Sequence, residues 1–285
     1  MTTAVRNLLC TTFLASTLAA CGGGGDGGSS PSGSSGASDV GIEKLNGTWG
    51  GSFDSGGGTI QSMVISIDAS DKNAVKITDV TLDGNSAGLA GTVTKASESP
   101  RTFRFVLKDK NDPAGKPVNQ GAFFVDSTAK YLVFLDEFLE FGVTQKGADG
   151  LPPTGFSQAD ANASWSGDAL TIASVSPSPD GSGFGNFTQK ASSAKCDPAA
   201  SGSPGGPSAC NITVGSTQRN ASSVTLEDAN GGRWGGTYTE TPASGAGTDN
   251  VFRMYLSPDK QYSGAVTCAT SGSIPSCSFY SWKHM

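Results

Sequence analysis

From about residue 40 onward the apolar residues fall in short runs, either alternating with polar residues or fully apolar, and Gly, Asn, Asp or Pro separates each run from the next. A period of two broken by turn-forming residues predicts antiparallel strands joined by tight connections. Eight runs fit in the first part: Thr48 to Phe53, Ile60 to Ile67, Val75 to Leu82, Leu89 to Thr94, Thr102 to Lys108, Ala122 to Val125, Lys130 to Leu135 and Phe138 to Gln145. Eight more follow: Ser164 to Val175, Gly185 to Ala191, Asn211 to Thr217, Ser223 to Glu227, Arg233 to Thr239, Asn250 to Leu256, Gln261 to Ala269 and Cys277 to Lys283. Eight short strands in series predict an up-and-down barrel, which also leaves no sheet edge open to other chains.

The two sets are copies of one another. Asn46-Gly47-Thr48-Trp49-Gly50-Gly51 recurs as Asn162-Ala163-Ser164-Trp165-Ser166-Gly167, and Ser127-Thr128-Ala129-Lys130 recurs as Ser257-Pro258-Asp259-Lys260. Asp79-Val80-Thr81-Leu82 matches Asn211-Ile212-Thr213-Val214, and Val93-Thr94 matches Val224-Thr225. The spacing between copies grows upstream of Asn211, so the Ser/Pro/Gly-rich segment from Cys196 to Cys210 reads as an insertion in the second copy. The expected fold is all-β, two tandem up-and-down antiparallel β-barrels of about eight strands each after a disordered N-terminal tether. The expected division is 40–150 for the first barrel, a linker at 151–160 around Leu151-Pro152-Pro153, and 161–285 for the second.

Asn-Gly-Thr-Trp at the head of the first run resembles the first strand of the lipocalins and of the avidin family, where the Trp plugs one end of the barrel. That resemblance implies a calycin-like barrel. The Trp-rich segments with which avidins contact biotin have no counterpart here, so biotin binding is not implied. Both Trp49 and Trp165 read as core closures. Tyr131 to Leu135 and Phe138 to Phe141 carry large apolar groups on both strand faces, with Asp136-Glu137 as the turn between them. A strand apolar on both faces is covered on both, either by the other copy or by a partner. Large inward side chains at Trp49, Phe103, Phe105 and Phe123 are the features that decide between a filled barrel and one with room for a ligand.

The first forty residues are of another kind. Arg6 precedes an apolar run from Leu8 to Ala20 that is too short to span a bilayer and reads as an export signal. It closes on Leu18-Ala19-Ala20-Cys21, which resembles the lipobox of bacterial lipoproteins. The resemblance implies a signal peptide at 1–20, lipidation (palmitate among the acyl chains) of Cys21, and, with Gly22 rather than Asp following, the outer membrane as destination, at its periplasmic face or at the cell surface. Acyl chains at about 0.8 kcal/mol per methylene make such an anchor stable. From Gly22 to Ser38 the chain is Gly, Ser, Pro and Ala with a single Asp26. That composition predicts a flexible tether, 21–39 with the lipidated Cys, reaching roughly 20 to 25 Å from the bilayer.

Composition and charge narrow the function. The chain has 285 residues, a net charge of -6, 15% charged residues and 40 Gly. An acidic, lightly charged chain is a poor partner for nucleic acid. Six Cys include Cys10 in the signal and Cys21 at the anchor, which leaves Cys196, Cys210, Cys268 and Cys277. In an exported chain they predict two disulfides, paired locally because each pair brackets a Gly/Ser/Pro loop between strands. On that reading the first bridge staples an inserted loop away from the core and the second ties the last hairpin.

No metal, cofactor or catalytic residue is predicted. The single histidine, His284, stands beside the C-terminus, and no G-x-S-x-G elbow occurs. Three Ser-x-x-Lys pairs, at Ser127, Ser192 and Ser257, are what chance gives in a Ser-rich chain. The acidic clusters at Asp68 to Asp71, Asp109 to Asp112 and Asp136 to Glu140 lack the oxygen spacing of a calcium loop and read as turns. The expected function is a non-enzymatic, lipid-anchored binding module with a protein or other extracellular partner. Its architecture resembles that of host-factor-binding lipoproteins of Gram-negative pathogens. The alternatives are a calycin-like carrier of a small apolar ligand and a structural envelope lipoprotein.

Overall fold

A computed structural model describes residues 38–56, 59–97, 99–152, 154–172, 187–198, 206–240, 250–269 and 276–285. The signal segment, Cys21 and the tether up to residue 37 lie outside the described residues. The first barrel is formed by β1 (Gly47–Phe53), β2 (Gln61–Asp68), β3 (Lys76–Leu82), the two-residue β4 (Asn85–Ser86), β5 (Leu89–Lys95), β6 (Thr102–Asp109), β7 (Asn119–Val125), β8 (Tyr131–Asp136) and β9 (Phe141–Lys146). Eight of these pair with their sequence neighbours in a ring, with β4 as an appendage on β3, and the ring closes through β9 on β1. The second barrel is a closed ring of eight, β10 (Ser164–Ile172), β11 (Phe187–Pro198), β12 (Ser208–Val214), β13 (Thr217–Asp228), β14 (Arg233–Glu240), β15 (Asn250–Leu256), β16 (Tyr262–Ala269) and β17 (Ser276–His284).

The shared opening motif has the same three tasks in each copy. The Trp49 indole N–H donates to the Leu45 carbonyl (2.8 Å) in a short 3-10 turn, Ile42–Leu45, and the Trp165 indole N–H donates to Ala161 (3.5 Å) in another, Gln158–Ala161. Asn46 accepts the Ala69 N–H (2.9 Å), and Asn162 accepts the Ser208 hydroxyl. Gly51 and Gly167 lie where the first strand meets the closing strand. A Cβ at either would collide with the carbonyl of Val143 or Ser281.

Among the described residues, large side chains pack inside both barrels. Trp49, Phe103, Phe105, Phe123 and Phe134 are buried together inside the first, and Trp165, Trp234, Phe252, Met254, Tyr280 and Trp282 inside the second. The four positions that bear on the alternative of a carrier, Trp49, Phe103, Phe105 and Phe123, are all inward and packed, which speaks against a ligand inside the first barrel. The connection between the barrels is also more than an extended linker. Phe156 is buried edge-on against Trp234 at 5.8 Å, and Gln158 donates to the Val224 carbonyl at 2.9 Å, so residues from the connection plug the end of the second barrel.

Two further expectations need correction. The Cys196–Cys210 segment does not leave the sheet at its cysteines. β11 and β12 run through them as directly paired residues, both buried in the core, so the bridge lies inside the ladder and does not staple a peripheral loop. The strand boundaries move accordingly. β12 begins at Ser208 and ends at Val214, Gly215 (φ 60°) makes the turn, and β13 begins at Thr217 and not at Ser223. Phe138 belongs to the turn before β9, which begins at Phe141. The stretch 173–186, where two expected strand ends fall, lies outside the described residues.

Candidate functional site

The outward faces of β7, β8 and β9 pack against those of β10, β15, β16 and β17. Tyr131, Val133 and Leu135 of β8 point into this seam, whereas Leu132 and Phe134 point into the barrel. The other copy therefore covers the strand that is apolar on both faces. Strand register makes Tyr131 and Tyr262 equivalent, each the first residue of its strand, paired with Gln145 and Lys283 respectively. Phe141 and Phe279 are equivalent by the same register, opposite Leu135 and Val266. Both equivalent pairs stack across the seam, the tyrosines with ring centroids 4.6 Å apart and the phenylalanines 6.0 Å apart. Equivalent residues can meet in this way only on or near a two-fold axis.

Each side of that axis carries a cross-barrel ion pair. Arg101 meets Asp168, and Arg233 meets the buried Asp54 at 3.1 Å. Asp54 also accepts the Tyr255 hydroxyl at 2.6 Å. Burial, reinforced by the Asp54 carboxylate, raises the Tyr255 pKa well above the usual phenol value, so Tyr255 keeps its proton and remains a donor. At the axis, burial works against charge on Asp259, but hydrogen bonds from Lys130, Ser257 and Tyr131 outweigh it and hold the carboxyl below its ordinary range.

The two-fold is broken on one side, where the seam opens into a groove of about 230 Å³. That is roughly the share of eight liquid waters. Leu139, Phe141, Val251, Val266 and Phe279 give it apolar walls, and the Cys268–Cys277 bridge lines it as well. The groove is also lined by the Asp54 carboxylate, engaged with Arg233 and Tyr255, and by Arg253, whose Nε is buried without a hydrogen-bond partner and which has no carboxylate partner among the described residues. By register its equivalent in the first barrel is Ala122: Arg253 pairs with Val266 where Ala122 pairs with Leu135. Ala122 is fully buried in the seam. One copy closes its half of the contact with a methyl group, and the other places a guanidinium there.

The rim is the β8–β9 turn. The Asp136 carboxylate accepts the N–H groups of Phe138 and Glu140, both at 2.9 Å, and that holds the turn in shape. Burial, together with a hydrogen bond to and repulsion from Glu140, pushes Asp136 up to about 8. The turn puts Leu139 at φ 63°, a conformation that is unfavourable for a residue with a branched side chain. Phe138 and Leu139 are 64% and 39% exposed, and Val251 on the opposite wall is 42% exposed. These are three of the five large apolar residues exposed among the described residues.

The remaining residues singled out in the sequence have structural roles. Cys268 and Cys277 are bridged across the last hairpin as expected. Ser192 accepts the Trp282 indole N–H at 2.8 Å, and Ser257 accepts the Tyr262 N–H at 3.0 Å. The lysines of the Ser-x-x-Lys pairs face carboxylates instead: Lys130 meets Asp259, Lys195 meets Asp197, and Lys260 meets Asp160. Asp68, Asp71 and Asp109 each accept an N–H from two residues on, the geometry of Asx turns. His284 lies against the Trp165 ring at 5.2 Å.

No family model and no curated protein matches the chain. Among solved structures it is similar to a protein of unknown function from the DUF3598 family of Nostoc punctiforme, at 11% identity and a TM-score of 0.33, over 85% of this chain and 97% of that one. A candidate outer membrane protein of Bacteroides fragilis matches at 10% identity and a TM-score of 0.29, over 85% and 98%. The vaccine antigen transferrin binding protein B of Haemophilus parasuis matches at 8% identity and 0.29, over 78% and 65%.

Proposed function

We propose that this protein is a lipid-anchored, non-catalytic binding module of the cell envelope, acylated at Cys21 and held off the outer membrane by its Gly/Ser-rich tether. Partners dock on the outside of the two-barrel body. The observation that carries this reading is that, among the described residues, large aromatic side chains occupy both barrel interiors, which favours binding at the surface. There the seam groove combines exposed apolar residues with a guanidinium that has no carboxylate partner among the described residues. Such patches on an otherwise polar surface mark interaction sites.

The anchor is tested by fractionating cells that carry the natural chain or Cys21→Ser, with mass spectrometry of the extracted protein. The expected result is an acylated N-terminal Cys21 and release of the Cys21→Ser chain from the membrane fraction. Retention of that variant together with an unacylated wild-type chain removes the anchor from this account. Native mass spectrometry of the extracted protein tests the docking mode. A stoichiometric small apolar ligand that stays bound through buffer exchange contradicts docking on the outer surface.

A further inference from the structure

We infer that the seam groove is the docking site for a segment of a partner protein that presents an apolar side chain next to a carboxylate. The inference rests on the binding-module reading and assigns it a place and a chemistry. Three observations carry it. Arg253 stands in a mostly apolar groove without a carboxylate partner among the described residues, whereas Arg101 and Arg233 are paired with aspartates; the one carboxylate that lines the groove, Asp54, is taken up by Arg233 and the Tyr255 hydroxyl. With Asp54 already engaged, the Arg253 guanidinium is completed by an anion from outside, and the apolar walls suit one whose other atoms are apolar.

The internal repeat provides the second observation. The seam can be closed at this position, because the equivalent Ala122 closes it. An arginine on the open side therefore replaces close packing with an unsatisfied donor, a local loss that a bound carboxylate reverses.

The third is the rim. The turn holds Leu139 at an unfavourable positive φ, and all three of Phe138, Leu139 and Val251 keep apolar surface in water, Leu139 and Val251 where they line the groove and Phe138 beyond it. A small molecule of the groove's volume touches Leu139 and Val251 but leaves Phe138 uncovered. A polypeptide covers rim and pocket together, with one apolar side chain in the groove and its carboxylate on Arg253, the arrangement of an interface hot spot.

The probe is a phage-displayed library of random seven-residue peptides, selected on the full chain purified from membranes. The enriched peptides are expected to place Phe, Trp, Leu or Ile within two positions of Asp or Glu. Arg253→Glu is expected to weaken these peptides about tenfold or more and to enrich Lys or Arg in their place. Leu139→Asp, at the exposed turn, is expected to weaken the same peptides and keeps the test decisive if the Arg253 variant fails to fold. Peptides whose binding ignores both substitutions overturn the assignment of the groove and leave the binding-module reading standing. A selection that enriches nothing also overturns the assignment, and the reading then rests on its own test. Displacement of the peptides by 4-phenylbutyrate that itself binds more tightly makes a free carboxylate the occupant, and self-association lost in Leu139→Asp makes it a second copy. Either result overturns the inference.

Discussion

Tyr131 and Tyr262 occupy the same position in their two barrels and stack on each other, 4.6 Å between ring centroids with planes 7° apart. Each begins the strand after an identical turn, in which Asp126 or Ser257 donates its N–H to the tyrosine carbonyl and a non-glycine residue, Ala129 or Lys260, sits at positive φ. The repeat is thus not simply two barrels on one chain. Its copies meet through equivalent faces, as the subunits of a two-fold dimer do.

The stacked pair predicts coupling between the barrels. Tyr131→Ala and Tyr262→Ala are each expected to cost roughly 3 kcal/mol. The double variant is expected to lose less than the sum, by about 0.5 to 1.5 kcal/mol. Urea unfolding of the four proteins checks this, and strict additivity contradicts the contact.

The two disulfides are expected to differ in weight. Loop closure gives each a similar contribution, roughly 3 kcal/mol, because the sequence separations are 14 and 9 residues. Cys196 and Cys210 are buried in the second barrel, however, whereas Cys268 and Cys277 are only half buried beside the groove. Replacing the first pair by Ala also leaves a void, on the order of a further 1 kcal/mol. Thermal melts showing the larger loss for the Cys268/Cys277 pair contradict this placement of the bridges.

Asp136 predicts a pH dependence of unusual sign. Its folded pKa lies above its ordinary value of 3.8, at about 8. The folded protein therefore binds a proton that the unfolded chain has released, and this contribution is complete below 3.8 and lost as pH rises through about 8. Asp136→Asn cannot ionise, so the stability of the variant relative to the natural chain is expected to rise steadily from pH 4 to pH 8. Denaturation curves across that range that run parallel for the two proteins contradict a protonated Asp136.

Leu139→Gly separates stability from binding. Glycine adopts the positive φ of this position without steric cost, so the variant is expected to be as stable as the natural chain or more so, by up to about 1 kcal/mol. Partner binding is expected to fall. A variant that is clearly less stable shows that Leu139 contributes to the fold and not to an interface.

Much of the fold was legible because an up-and-down barrel is local. Each strand pairs with the next, so alternating runs and turn residues were enough to find the first barrel nearly strand for strand. The error around Cys196 and Cys210 has a physical source. Trp165, Trp234 and Trp282 already fill the second barrel, and small inward residues such as Ala194 and Cys196 complete that packing, so a stretch of strand had the composition of a loop. The seam was half legible, since Tyr131 to Leu135 announced contact on both faces. The groove was not. Leu139 and Arg253 are brought together only by the docking of the two barrels, and the one trace in the sequence is Arg253 standing where the repeat has Ala122.

The central claim, a binding module that works through the seam groove, is tested most directly by photo-crosslinking in intact cells. A benzoylphenylalanine in place of Val251 is compared with one in place of Lys72, in the β2–β3 turn, which is exposed and lines no part of the groove. The account predicts a discrete protein adduct from position 251 that disappears when Arg253→Glu is added, and none from position 72. Adducts that are the same from both positions, or that persist at position 251 in the Arg253→Glu background, contradict it.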